Sequence, residues 1–132
     1  MKKIWFILIA PFLLATQCES DEDPVFRTEY YVQNDSTIDL LWITDEDREF
    51  LIEAGARQFL SVASDSEAFI SPSQSRGLTS LVLYSSTGSD NEVVYSQEDI
   101  QDELWTFSSS TTCDAEYVLF ITNELLDSNA GF

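Results

Sequence analysis

From Val25 onward the apolar residues recur at every second position, and turn residues break the runs roughly every 6 to 12 positions, as in short strands. Phe26, Thr28, Tyr30 and Val32 alternate with Arg27, Glu29, Tyr31 and Gln33, so the first strand has one inward face. Asn34-Asp35-Ser36-Thr37 turns the chain. In the second strand Ile38, Leu40 and Trp42 share one face while Leu41 and Ile43 share the other, which predicts cover on both sides near its end. Asp45-Glu46-Asp47-Arg48 is a polar hairpin tip, and the third strand, Glu49 to Ala54, stops at Gly55, where a tight turn is expected. Arg57 to Ala63 is a fourth strand, ended by Ser64-Asp65-Ser66-Glu67. Ala68-Phe69-Ile70 is a short apolar piece before Pro72, and Ser71 to Gly77 is a loop.

Leu78 to Ser85 has the strongest strand signal in the middle of the chain, and Thr87 to Asn91 loops back to Val93-Val94-Tyr95. Ser96-Gln97-Glu98-Asp99 has the spacing of a capping box, which predicts a helical turn over Asp99 to Glu103. Leu104 to Phe107 and Glu116 to Thr122 complete about eight strands, the last of them apolar on both faces and therefore central. Short connections favour antiparallel pairing. The expected fold is all-β, an antiparallel β-sandwich of immunoglobulin-like or transthyretin-like type, with an eight-stranded closed barrel as the alternative.

The first residues follow a different rule. Lys2-Lys3 precede the apolar run Ile4 to Leu14, which is too short for the ~20 residues that span a bilayer and is interrupted by Pro11. A basic start followed by such a run is the layout of a secretory signal. Ala15-Thr16-Gln17-Cys18 resembles the lipobox of bacterial lipoproteins, although Gln17 stands where that family usually has a small residue. The resemblance implies a diacylglycerol on the Cys18 thiol, cleavage just before it and acylation of the new amine. Multiple acyl chains anchor stably, whereas one binds only marginally. Glu19-Ser20-Asp21-Glu22-Asp23 is similar to the acidic export signals of surface-displayed lipoproteins in some Gram-negative bacteria, and also reads as an extended, self-repelling tether. Tyr30 to Asn34 and Phe120-Ile121-Thr122 resemble parts of small β-domain surface lipoproteins. The expected organisation is a signal peptide over 1–17, an acidic tether over 18–24, a β-sandwich over 25–127 and a frayed tail over 128–132.

Composition narrows what such a domain can do. The chain has 132 residues, 44% hydrophobic and 13% aromatic, too apolar for a disordered chain. Its formal charge is −18; without Lys2 and Lys3 it becomes −20, four arginines against 24 acids. That charge argues against nucleic acid and against an anionic lipid face, leaving attachment to the membrane through lipid on Cys18. With the Cys18 thiol taken by lipid, Cys113 is expected as a free, small buried thiol. No histidine is present to activate a serine or cysteine.

The candidate sites are few. Asp45, Glu46, Asp47 and Glu49 crowd one hairpin, and Glu98, Asp99, Asp102 and Glu103 crowd the expected helical turn. Neither group has the calcium-loop spacing with its central glycine, so both read as solvated turns, and no metal or cofactor is expected. Among the aromatics, Tyr31 and Trp105 lie opposite the apolar phase of their strands and are candidates for an exposed ligand platform. Asp35-Ser36-Thr37 is similar to a short motif that some envelope systems glycosylate, which makes Ser36 a candidate O-glycosylation site. The expected function is a non-enzymatic, lipid-anchored protein of the outer membrane, on the cell surface or the periplasmic face. It would act as an interaction module toward a protein partner or as an accessory of an envelope complex. The alternative is a carbohydrate-binding module of a glycan-uptake system. The two differ in what must be exposed, an apolar patch rimmed by acids or a cluster of coplanar rings.

Overall fold

The computed structural model describes residues 24–86 and 90–129. The expected signal peptide, the Cys18 attachment site and nearly all of the acidic tether lie outside the described residues, as do the end of the tail and part of the Thr87 to Asn91 loop. Eight strands follow in order: β1 (Phe26–Asn34), β2 (Leu40–Ile43), β3 (Glu49–Ile52), β4 (Arg57–Asp65), β5 (Leu81–Ser85), β6 (Glu92–Gln97), β7 (Thr106–Ser109) and β8 (Asp114–Ile121). They form two separate four-stranded sheets, β4-β1-β8-β7 and β3-β2-β5-β6. This is an all-β, two-sheet arrangement consistent with a β-sandwich. The closed-barrel alternative is overturned, because each sheet keeps two edge strands.

The alternation read from the sequence explains the core. Tyr30, Val32, Leu119 and Ile121 come from the first sheet, Leu40, Ile52, Leu81, Leu83 and Tyr95 from the second, and all belong to one buried cluster. Each occupies the inward phase of its strand, so a period of two delivers a continuous apolar layer from both sides. Asn34, fully buried at the end of β1, ties the sheets together. Its amide donates to the carbonyls of Ile38 and Ile52 at 2.8 and 2.9 Å, and its side-chain oxygen accepts from the Ser36 backbone at 3.1 Å. A buried amide satisfied on both ends favours one register and penalises others. Gly55, at φ +87°, makes the turn from β3 to β4 in the left-handed region that favours glycine.

Antiparallel pairing accounts for all strand pairs but one. β1 and β8, the first and last strands, pair in parallel with Arg27 opposite Asp114 and Asn34 opposite Ile121. That puts β8 in the interior of its sheet, as its two apolar faces predict.

Several local expectations are corrected. The capping box does not form, because Ser96 stays in β6; a short 3-10 turn runs over Asp102–Leu104, with Gln101 before it making no side-chain cap. Leu78 lies in the connection before β5, buried in the core, and Leu104 lies in the 3-10 turn before β7. A short helix follows β8. Asn123–Ser128 form a helix, α1, whose preceding Thr122 accepts from the Leu125 backbone through its hydroxyl at 3.1 Å.

Cys113 is the largest correction. It is disulfide-bonded, in place of the expected free thiol. The sequence has one other cysteine, Cys18, outside the described residues. The Arg27 backbone donates to the Cys113 carbonyl at 2.8 Å, so the chain enters β1 beside Cys113.

Candidate functional site

The outward phases of the two sheets are built from different residues. On the β3-β2-β5-β6 sheet, Leu51 pairs with Leu41, Leu41 with Tyr84, and Tyr84 with Val93. Four apolar or aromatic side chains thus form one row across four strands. Ile43 on β2 and Val82 on β5 lie on the same face one pleat further along, by strand alternation. None of the six belongs to the core cluster, and Leu51 and Val93 are 53% and 41% exposed. The acids flanking these strands on the same phase are Asp39, Glu49 and Glu53, and no basic residue lies within the four strands. This is an apolar strip framed by negative charge.

The same sheet continues into a hollow of about 720 Å³ at one end of the molecule. Trp42 and Phe50 line it from the inward phases of β2 and β3, with ring centroids 5.2 Å apart and planes 28° from parallel. Leu60 and Leu78 add apolar wall, and Ile43, Val82 and Tyr84 belong to both the hollow and the apolar strip. The β2–β3 hairpin tip stands at the mouth. It is held by Thr44, whose backbone donates to the Arg48 carbonyl at 2.9 Å and whose own carbonyl accepts from Asp47 at 2.9 Å. Asp47 takes φ 58°, a conformation aspartate tolerates better than most residues. Asp45, Glu46 and Asp47 bring three carboxylates there against the single guanidinium of Arg48, which donates to Glu46.

The outer face of the other sheet is aromatic too, but its charges are paired. Tyr31 and Phe59 meet edge to face at 5.7 Å, and the Arg57 guanidinium sits 5.3 Å from the Tyr31 ring centre. Arg57 also pairs with Glu116 at 3.1 Å, and Arg27 pairs with Glu29 at 2.7 Å. The Tyr31 hydroxyl donates to the Glu29 carboxylate, and this bond, with burial and the neighbouring acids, raises the phenol above its ordinary pKa.

The sites expected from sequence fall in separate places. Tyr31 is half-buried on that face, with Arg57 over its ring. Trp105 is 6% exposed and belongs to the core cluster, its indole N–H directed at the Gln97 side-chain oxygen at 3.4 Å. It therefore offers no platform, and the two residues do not share a site. Its direction is set by the 3-10 turn before it, which breaks the alternation on which the expectation rested. Ser36 is also corrected as a glycosylation candidate. It is 5% exposed, and its hydroxyl donates to Asn34 at 2.6 Å, so a sugar would have to displace a buried network. Phe50 and Trp42 are the rings that do line a hollow; Trp42 carries the core phase in the sequence, and it is half-buried, packed against the core while lining the hollow.

The acid clusters are dispersed among other roles. Asp102 accepts from the Ser73 backbone and hydroxyl, both at 2.7 Å. Burial pushes its carboxyl up, but the Ser73 and Ser71 hydrogen bonds outweigh this and hold it below the ordinary range. Among the described residues no group of three or more potential metal ligands is gathered, and no helix is long and apolar enough to cross a membrane. No family model, curated protein or solved structure matches this chain.

Proposed function

We propose that this chain is a non-enzymatic interaction protein of a bacterial envelope, exported and then held at the outer membrane by lipid on Cys18, on the cell-surface or periplasmic side. Its contact surface is the outer face of the β3-β2-β5-β6 sheet, and its partner is a protein of basic character. The domain is of the immunoglobulin-like or transthyretin-like sandwich type. The observation that carries the interaction reading is the unbroken row Leu51, Leu41, Tyr84 and Val93. An apolar strip framed by acids favours a partner with matching apolar side chains and positive charge. A second copy of this chain is the poorer occupant, since both copies would bring the same acidic frame.

A disulfide at Cys113 suits an oxidising compartment, which agrees with export. With two cysteines in the sequence, a disulfide within the chain takes the Cys18 thiol, which cannot then carry a diacylglyceryl thioether; the disulfide therefore counts against the anchor, and the lipidated form is one in which Cys113 is reduced or bonded to another molecule. Intact-mass measurement of the protein extracted from membranes separates the forms. A mature chain starting at Cys18 with acyl mass supports the anchor; the same chain without acyl mass, with both cysteines oxidised to each other, overturns it and leaves a secreted interaction module.

The surface is tested by placing a photo-crosslinking amino acid at Leu51 and, as a control on the other sheet, at Val62, in the native host. A discrete adduct from position 51 and none from position 62 is expected. Equal adducts from both positions, or adducts of the chain with itself, overturn the assignment. The carbohydrate-binding alternative is favoured by one observation, the stacked Trp42 and Phe50 rings lining a hollow.

A further inference from the structure

We infer that the hollow beside the apolar strip is a socket for a single basic side chain, an arginine or lysine of the protein that docks on the strip. The identity of the occupant as part of a protein rests on the interaction reading above; the preference for a cation on an apolar stem rests on the hollow itself.

A half-open hollow of about 720 Å³ lies within the size range of small-ligand sites. Its wall and its mouth ask for different things. Trp42, Phe50, Leu60 and Leu78 offer apolar and aromatic surface, and both rings are only half-buried. Asp45 and Asp47 stand at the mouth, and neither makes an ion pair among the described residues, whereas Arg48 is taken up by Glu46. Lysine and arginine are the side chains that carry an apolar stem and a charged head together. The stem would lie against Leu60 and the rings, and the head would meet aromatic faces and carboxylates, both of which attract a cation. An anionic ligand is repelled by the same mouth. A neutral sugar would gain the rings but would leave the charges at the mouth without a counterpart.

Continuity with the docking strip argues for a side chain over a free small molecule. Ile43, Val82 and Tyr84 line the hollow and also belong to the strip, so a chain lying across the sheet passes its edge. Alternate residues of an extended segment could then place apolar groups on the strip and a basic group in the socket.

The test uses the purified chain from residue 18 onward, which leaves out Trp5, with nitrogen-15-labelled tryptophan, so that the Trp42 and Trp105 indoles report separately, assigned through Trp42→Phe. An acetylated, amidated Leu-Arg-Leu-Arg peptide is titrated in, and its counterpart with citrulline replacing arginine serves as the neutral control. The expected result is a saturating shift of the Trp42 indole with the buried Trp105 indole unmoved. Affinity should fall about fivefold or more with citrulline, and similarly between 0.05 and 0.5 M salt, because the Debye length is only about 10 Å at 0.1 M and shortens further as salt rises. The double change Asp45→Asn and Asp47→Asn sits on an exposed hairpin and should weaken the arginine peptide to the level of the citrulline one. Equal affinity for both peptides, peptide binding that leaves Trp42 unmoved, no binding at all, or saturation of the Trp42 signal by a neutral oligosaccharide such as maltohexaose overturns the inference. If the peptide fails while position 51 still crosslinks to one protein, the socket is lost and the docking strip stands. Loss of the crosslink with retention of the peptide gives the reverse.

Discussion

The two outer faces of this molecule use similar residue types to different ends. On the β4-β1-β8-β7 sheet, Tyr31, Phe59 and Val62 are interleaved with Arg27, Arg57, Glu29 and Glu116, and each arginine has a carboxylate partner. That face answers its own charges, guanidinium meeting ring and acid, although Phe59, Val62 and Phe120 stay 43%, 43% and 40% exposed. On the β3-β2-β5-β6 sheet the apolar side chains line up without an interposed charge, and the nearby acids have no arginine within the strands. Apolar area alone does not mark a docking surface; it matters whether the surrounding charge has already been answered within the chain.

Four changes would break or sharpen this contrast. The largest effect is expected from Tyr84→Ala combined with Leu41→Ser, at the centre of the apolar row. Truncating central interface residues typically costs about 2 kcal/mol or more of binding, so the crosslink from position 51 should be lost while the circular dichroism spectrum is retained. The matching pair on the other face, Phe59→Ser with Val62→Ser, should leave that crosslink intact.

Next is Tyr30→Phe in the layer that both faces share. The Tyr30 hydroxyl donates to the Ile70 carbonyl at 2.7 Å, and removing it leaves that acceptor unpaired, at a cost of about 1–2 kcal/mol in urea unfolding. The same residue predicts a response to alkali. Burial pushes its phenol up to about 12 from 10.0, so the unfolded chain releases the proton more readily. Its contribution to stability is complete below pH 10 and disappears as pH rises toward 12. The Phe variant should therefore lose less stability than the parent over that range, as followed by thermal unfolding at a series of pH values.

A smaller effect is expected from Arg57→Ala, which removes a cation over an aromatic ring and a partly exposed ion pair at once. About 1 kcal/mol of destabilisation, shrinking with added salt, would support the view of a face that answers its own charges; no change would weaken it. The smallest is Leu51→Thr, an exposed edge-strand position where unfolding free energy should stay within about 0.5 kcal/mol of the parent. A larger loss would mean that the row supports the fold and is not free for a partner.

The legible part of this architecture was whatever depends on a period of two. Strand positions, the inward phase of Tyr30, Val32, Leu40 and Leu119, the interior place of the last strand and the two-faced character of β2 all follow from local alternation. What depends on which strands meet was not legible. The parallel contact of β1 with β8 joins residues more than eighty positions apart, and it alone brings the entry to β1 beside Cys113, whose disulfide replaces the expected free thiol. Trp105 shows a second limit, because a 3-10 turn immediately before it resets the phase and turns the ring inward. Ser36 shows a third: a turn motif reads as exposed, yet Asn34 folds it into the core. The candidate surface was half visible, in the apolar outward residues of β2, but the row became a row only through the register of three partner strands.

The parallel pairing of the first and last strands also has a kinetic meaning. The β3-β2-β5-β6 sheet draws its strands from the stretch between Leu40 and Gln97, so its pairings can form as soon as that stretch is available. The other sheet has to wait, because β1 emerges first and its partner β8 emerges last. Closing so long a loop comes late and slowly. For a protein read as an exported one, this ordering keeps the domain incomplete until nearly the whole chain has arrived in the compartment where it folds. The strand that completes the fold is also the one that leads into α1, so loss of the C-terminal stretch would leave a half-built molecule with β1 lacking a neighbour on one side.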